Sequence, residues 1–512
     1  MSRIEDFSKH ITDGYACKGD FITLGGAILD GEAVENVHVN IPLKTLNRHG
    51  LIAGATGTGK TKTIQVLSEQ LSQNGIPVLM MDIKGDFSGI AVSGEEKTFI
   101  TDRHARIGLP YVAKGFPVEL MTISEQNGVR LRATISEFGP VLFSRILDLN
   151  DTQAGIVSII FKYCDDNKFP LLDLKDFKKV LQYSTDDGKA AFEAEYGKIS
   201  TSSTGTILRK IIELEQQGAA LFFGEKSFDV ADLMRIDENG NGYINIMRLT
   251  DIQDKPKLFS TFMLSLLAEI YNTMPEQGDT GRPELVIFID EAHLIFDQAS
   301  KALQDQIETI VKLIRSKGIG VYFITQNPTD VPNGVLAQLG LKIQHALRAF
   351  TANDRKAIKM TAENYPLSDY YKTDEVLTQL GIGEAFVTAL NEKGIPTPLA
   401  ATMLRAPMSR MDVLSEAEID ANIAKSKLAK KYNEIVDRES AYEILDKKME
   451  AAQALADQEA EAKLKEKEAK KSTSSRTSPQ PHNQTTKAVV KVLTSATFIR
   501  GAMGVLMKMF KK

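Results

Sequence analysis

The chain of 512 residues is 43% hydrophobic and 25% charged, has a formal net charge of −5 and contains only Cys17 and Cys164. These values allow about three globular domains with a large core and exclude disordered, disulfide-rich and uniformly basic nucleic-acid-binding classes, so any nucleic-acid surface must be local. The two cysteines are far apart and form no C-x-x-C pair, and residues 1–20 lack the apolar stretch of a signal peptide, so the protein is read as cytoplasmic.

Residues 21–29 and 37–43 are short apolar runs around the turn-rich 30–36, which predicts a short N-terminal β segment within 1–45. Asn47-Arg48-His49-Gly50 follows. Arg48 or His49 can touch a ligand there or mark a solvent-facing strand entry. The apolar run Leu51, Ile52, Ala53 then leads into Gly54-Ala55-Thr56-Gly57-Thr58-Gly59-Lys60-Thr61, which meets every fixed position of G-x-x-x-x-G-K-[ST]. Lys62 opens a segment with Ile64, Val66, Leu67 and Leu71 at helical spacing. Strand, glycine loop and helix are the context a phosphate-binding loop requires. Its glycines let backbone N–H groups and a helix N-terminus face anionic phosphates, Lys60 is placed for the β and γ phosphates, and Thr61 for Mg²⁺. Residues 54–62 are the candidate nucleotide-binding set.

Residues 77–83 form a buried-strand pattern ending at Asp82, within Asp82-Ile83-Lys84-Gly85-Asp86. Asp82 is a candidate catalytic acid at the ligand-binding edge of a sheet, or a turn-capping acid. These elements make 46–115 the first part of an α/β core. Residues 116–244 read as a mainly helical insertion: β-like runs at 118–123 and 129–135 precede helical patterns at 140–164, 172–181 and 204–217. Near its end, Asp237 to Gly242 imitates the first half of a calcium loop. Position 12 is Arg248 rather than Glu, and the next residues alternate like a strand, so a tight turn into a core strand is expected.

The second core part, 245–408, contains the apolar strand Leu285–Ile289 ending in Asp290-Glu291. Asp290 is expected in the Mg²⁺ shell and Glu291 is expected to polarise the attacking water. A helix over 303–317 precedes a strand at 321–325 that ends at Gln326, a candidate sensor of the γ phosphate or a loop-binding amide. Arg315 is a candidate arginine finger or a solvated helix residue, and it ranks above Arg348 and Arg355, which are alternative finger or DNA candidates. Strands at 341–347, 384–390 and 398–404 and a helix at 352–360 complete the core. Residues 409–471 suit a charged, solvated helix, 472–487 a flexible linker, and 488–512 an apolar, basic helix whose charges argue against stable membrane insertion.

Several strings carry a family resemblance: Asn47 through Thr61, Asp82-Ile-Lys-Gly-Asp86, Asp290-Glu-Ala-His293, Ile314-Arg-Ser-Lys-Gly318 and Gln344-His-Ala-Leu-Arg-Ala-Phe350. Together they resemble the HerA–FtsK group of P-loop ATPases, more closely its bacterial HerA-like subfamily of the YjgR type. The resemblance implies a RecA-like α/β core with a mainly parallel sheet flanked by helices, ATP and Mg²⁺ as cofactors, and a homo-oligomer, a hexameric ring with sites between subunits. It assigns Arg315 as a finger in trans, Gln326 as sensor and Asp82 as catalytic acid. DNA is the implied partner of a translocase or helicase motor. The alternative is an ATPase that remodels protein complexes without acting on DNA.

Overall fold

The computed structural model describes residues 2–473 apart from 279, 297–300, 350 and 437. The expected terminal helix, and all but the first two residues of the expected linker, lie outside the described residues. In chain order the described strands are β1 (Phe21–Leu29), β2 (Glu32–Pro42), β3 (Gly50–Ala53), β4 (Val78–Asp82), β5 (Val118–Thr122), β6 (Val129–Arg130), β7 (Ile244–Arg248), β8 (Leu285–Ile289), β9 (Ile319–Thr325), β10 (Leu341–His345), β11 (Glu384–Thr388) and β12 (Ala400–Leu404).

They make one twelve-stranded sheet in the order β2-β1-β12-β11-β10-β3-β9-β8-β4-β7-β5-β6. From β10 to β6 every neighbour is parallel, whereas β2, β1, β12, β11 and β10 pair antiparallel. The parallel strands are continuous apolar runs because both of their faces are covered. Alternation along each strand sends successive side chains into two different cores. Leu51, Leu79, Met81, Ile287, Ile289 and Phe323 join one; Ile52, Val78, Met80, Phe288, Tyr322 and Ile324 join the other. Full burial of each such side chain stabilises the fold by about 1.5–3 kcal/mol.

The first core holds the helices Pro256–Thr273 and Lys301–Ile314 and the helical insertion. The insertion begins later than its expected boundary at residue 116, because β5 and β6 extend the central sheet itself. Its helices start at Ile135, Asp151 and Leu174, where Thr134 with Glu137, Asn150 with Gln153 and Asp173 with Asp176 form reciprocal caps over the first turns. Asp237 accepts the amides of Asn239 and Asn241 at 2.9 and 2.7 Å, the tight turn expected ahead of β7.

The second core holds the helix Lys60–Gln73 and an N-terminal helix, Arg3–Gly14, that the polar first residues concealed. Its Phe7 and Ile11, one turn apart, are fully buried. The N-terminal β segment is the far edge of the same sheet, with β1 pairing both β2 and β12. The expected single helix over the charged C-terminal segment is instead broken into Glu416–Lys425, Lys427–Tyr432 and Ala441–Thr473. Ser415 and Ser426 cap the first two, and Ile419, Ile423, Leu428 and Tyr432 bury against the body. Irregular apolar spacing thus docks short helices. A second unit, Asp446–Lys512, is helical and exposed where described, with ion pairs from Glu459 to Lys463 and Glu461 to Lys465. No described helix is long and apolar enough to cross a membrane.

Candidate active site

Because β10, β3, β9, β8 and β4 run parallel, their carboxyl ends share one edge of the sheet, where open α/β sheets bind ligands. The glycine loop leaves β3 there and is tied to its neighbours: Gly54 N donates to Thr325 O at 3.3 Å and Ala55 N to Ala346 O at 2.9 Å. Gly57 and Gly59 take φ of 77° and 113°, a region that costs an L side chain dearly. A Cβ on Gly54 would lie 2.5 Å from that of His345. Thr58 Oγ1 closes the loop on Ala55 O at 2.7 Å.

Lys60 is buried and folds back inside the loop, donating to Gly54 O at 2.6 Å and Ala55 O at 3.1 Å. Burial, and then the charge of Lys84, lower its pKa, while Glu291 and Asp290 pull the other way. The ammonium is therefore held by two backbone carbonyls within electrostatic reach of the acidic pair. His345 supports the helix behind it through Thr63 Oγ1, 2.9 Å from Nε2, and stays neutral because burial and Lys60 press its pKa down to about 4. Lys62 points its ammonium elsewhere, to the carbonyl of Met411 and to Gln65 Oε1 at 3.2 Å.

The acidic pair follows β8. Asp290 Oδ1 accepts the Glu291 amide at 2.9 Å, and burial followed by neighbouring acids raises its pKa to about 6 despite the opposing charge of Lys84. Glu291 is a non-glycine residue at φ 48°, a strained backbone of the kind that collects at functional sites. Its Oε1 contacts Lys84 Nζ, while the buried Oε2 lacks a hydrogen bond although His293 Nδ1 stands 3.3 Å away. Burial works against the Lys84 cation, but the Glu291 contact and the nearby acids outweigh it and raise its pKa.

Asp82 is 2% exposed and accepts the amides of Gly85, Asp86 and Phe87 at 2.7, 3.1 and 3.3 Å. Of its two readings the geometry fits the turn acid; burial, and then Asp86, push its pKa up to about 7. That turn presents the residues the sequence left without roles: Lys84 to Glu291, and Asp86 to Thr61, whose hydroxyl donates to Oδ2 at 3.2 Å. Asp86 Oδ1 is shielded and unpartnered. The motif spacing Asp82-x-Lys84-x-Asp86 was the available signal, since a turn closed on its first residue's carboxylate presents the side chains that follow that residue.

Gln326 also faces the loop, with Thr56 Oγ1 3.3 Å from its Oε1. Arg315 does not. It is exposed just ahead of β9, at the amino edge of the sheet, and seven strand residues at about 3.3 Å each separate it from the catalytic edge. His49 shares that amino edge and is neither exposed nor near the loop: it is 2% exposed, its Nε2 bonds Val311 O at 2.9 Å and its Nδ1 accepts Val321 N at 3.0 Å. Arg348 is exposed just beyond β10 on the catalytic edge, and Arg355 is exposed on the helix Ala352–Glu363.

A phosphate cradle, a paired acid and a sheet-end amide at one edge are matched by what the chain resembles. The family model described as Helicase HerA-like C-terminal matches residues 28–509. The DNA double-strand break repair helicase HerA of Sulfolobus acidocaldarius is 21% identical over 74% of this chain and 69% of its own length. The protein of the same description from Sulfurisphaera tokodaii is 24% identical over 71% of this chain and 66% of its own. Among solved structures, the unbound bacterial conjugative coupling protein TrwB superposes with a TM-score of 0.54 at 14% identity, covering 80% of this chain and 94% of that one, a likeness of fold. The match along nearly the whole chain, joined to the glycine loop and acidic pair in their required places, makes this protein a P-loop ATPase of the HerA-like helicase family.

Proposed function

We propose that the protein is a Mg²⁺-dependent ATP hydrolase working as a ring-shaped, homo-oligomeric DNA translocase or helicase motor. The observation that carries this reading is the split of the machinery: Lys60, Thr61, Asp290, Glu291 and Gln326 lie at one sheet edge, while Arg315 is exposed at the other. An arginine at that edge is out of reach of its own subunit's glycine loop, which supports a ring in which it completes the site of a neighbouring subunit. The names of the HerA relatives point to DNA as the polymer.

The donor set fits Mg²⁺. Thr61, Asp290 and the half-unsatisfied Asp86 supply hard oxygens, and Mg²⁺ takes one or two carboxylates plus phosphate oxygens and water rather than a protein cage. The bound ion would supply charge neutralisation of the phosphates. Lys60 leaves its two carbonyls to bind the β and γ phosphates, and Glu291 takes the proton of the attacking water. Gln326 orients that water, and Arg315 of the adjacent copy neutralises charge developing on the transferred phosphoryl group.

The test is ATP turnover measured with and without duplex, single-stranded and forked DNA at low salt, alongside the mass of the assembly. Stimulation by one DNA form, weakening steeply with salt, is expected. Turnover indifferent to all three forms, or a monomer at working concentration, overturns the motor reading and favours the remodelling alternative.

A further inference from the structure

Outside the phosphate loop, the segment around Phe99 and the strap 409–418 enclose an open cavity of about 510 Å³, within the range of roughly 300–1,000 Å³ typical of small-molecule sites. Phe99, Ile100, Tyr111, Met411 and Val413 form its apolar part, and the rest of the lining is polar and charged, Asp412 included. Phe99 is 61% exposed, a large ring left facing solvent at the mouth, and the Tyr111 hydroxyl is shielded without a hydrogen-bond partner.

Both walls are anchored to the glycine loop or its helix. The strap is bound along one face of the helix Lys60–Gln73: Lys62 Nζ donates to Met411 O, and Gln65 Nε2 to Ser409 Oγ at 2.7 Å and Arg410 O at 3.0 Å. One turn further, buried Glu69 accepts the amides of Met408 and Ser409 at 2.8 and 2.9 Å. The opposite wall is the helix Thr98–Ile107. Its Arg103, on the same face as Phe99 and Ile100, donates to Ile382 O at 2.8 Å and Gly383 O at 3.1 Å, and Gly383 N donates to Thr58 O in the loop at 2.9 Å. The cavity therefore opens beside the first turn of the loop helix, with Lys62 touching its wall. A phosphate chain whose terminal groups rest on Lys60 and Thr61 must leave past that turn.

We propose that this cavity is the nucleoside subsite: the base of the nucleoside triphosphate stacks on Phe99 against Met411 and Val413, and the Asp412 carboxylate accepts ribose hydroxyls. The strap and the helix Thr98–Ile107 then act as a base clamp whose position is set by the loop itself. This rests on the phosphate-loop reading above and adds which end of the ligand lies where.

The experiment compares binding of ATP and of inorganic tripolyphosphate, each with Mg²⁺, to the full chain by calorimetry. Phe99→Ala removes an exposed ring and leaves the core intact. It is expected to weaken ATP by about tenfold, as loss of one aromatic stacking partner does, and to leave tripolyphosphate unchanged. Val413→Asp, also at an exposed position, is expected to act the same way. ATP affinity unchanged in both variants, or an equal loss for both ligands, overturns the subsite. Lys60→Ala distinguishes the two readings: it should weaken both ligands, and if it leaves ATP binding intact the phosphate-loop reading falls and the subsite with it.

Discussion

The ammonium of Lys84, at the end of β4, contacts the carboxylate of Glu291, at the end of the adjacent strand β8. The acid proposed to polarise water is therefore paired with a cation from within the subunit, on a strained backbone and with its second oxygen buried and without a hydrogen bond. A charge pair of this kind restrains the carboxylate in one position.

Replacing Lys84 by Met should release Glu291. Lys84 is 38% exposed at its side chain, so solvent screening reduces the restraint to about 1 kcal/mol, and basal ATP turnover is expected to rise about fivefold with nucleotide affinity unchanged. Stimulation by polymer should shrink in proportion. Steady-state rates with and without DNA check this; a fall in kcat would instead place Lys84 on the reacting phosphate.

Glu291→Gln keeps the shape and the backbone while removing the base. ATP binding is expected to persist and turnover to fall by about 10²–10⁴-fold. In Lys60→Ala the binding itself should weaken. Equilibrium binding of labelled nucleotide beside single-turnover hydrolysis separates the two, and equal loss of affinity in both variants would contradict the division of labour.

For Arg315→Ala, nucleotide binding is expected to survive while turnover drops by about 10³-fold or more. Mixing it with Lys60→Ala subunits should restore part of the activity, since each mutant supplies what the other lacks across an interface. Mixtures no more active than the mutants alone would rule out a finger acting in trans.

Acid sensitivity follows from the two buried histidines. Burial lowers the pKa values of His49 and His345 to about 4, so each stays neutral in the fold. The unfolded chain takes up those protons below pH 6.5. Stability is therefore full above that pH and falls toward pH 4, by up to about 3 kcal/mol per histidine. Glu69, raised to about 7 by burial, has the opposite sign, contributing below pH 4.5 and losing its contribution as pH rises through 7. Denaturant midpoints of His49→Gln, measured against pH, should lose about half of the histidine-linked acid limb, His345 keeping the rest. Those of Glu69→Gln should decline less steeply toward neutrality than the parent, with the buried Asp82 and Asp290, also raised, keeping their own share. Curves parallel to the parent would contradict both.

Much of the active edge was legible in the residues. Asp290 and Glu291 follow an uninterrupted apolar strand, and a parallel sheet brings that strand's end to the glycine loop whatever lies between them. Lys84 and Asp86 were legible only as neighbours of Asp82; their orientation depends on a turn whose amides the buried Asp82 carboxylate accepts. His49 fits neither of its sequence readings, ligand contact or open strand entry, because a single histidine does not reveal that Val311 and Val321, from distant segments, will enclose it.

The sequence by itself determined the local chemistry: a loop that only glycine-rich backbone can form, apolar strands that must be buried on both faces, and capped helices whose first turns hold their own partners. These depend on residues a few positions apart. The tertiary structure alone decided that the N-terminal segment and β5 and β6 extend one sheet, that Arg315 lies at the edge opposite Lys60, and that Lys84 meets Glu291. The first and last are pairings across long stretches of chain, and the second depends on β9 running parallel to β3; all are set by strand order and direction, which no local pattern encodes.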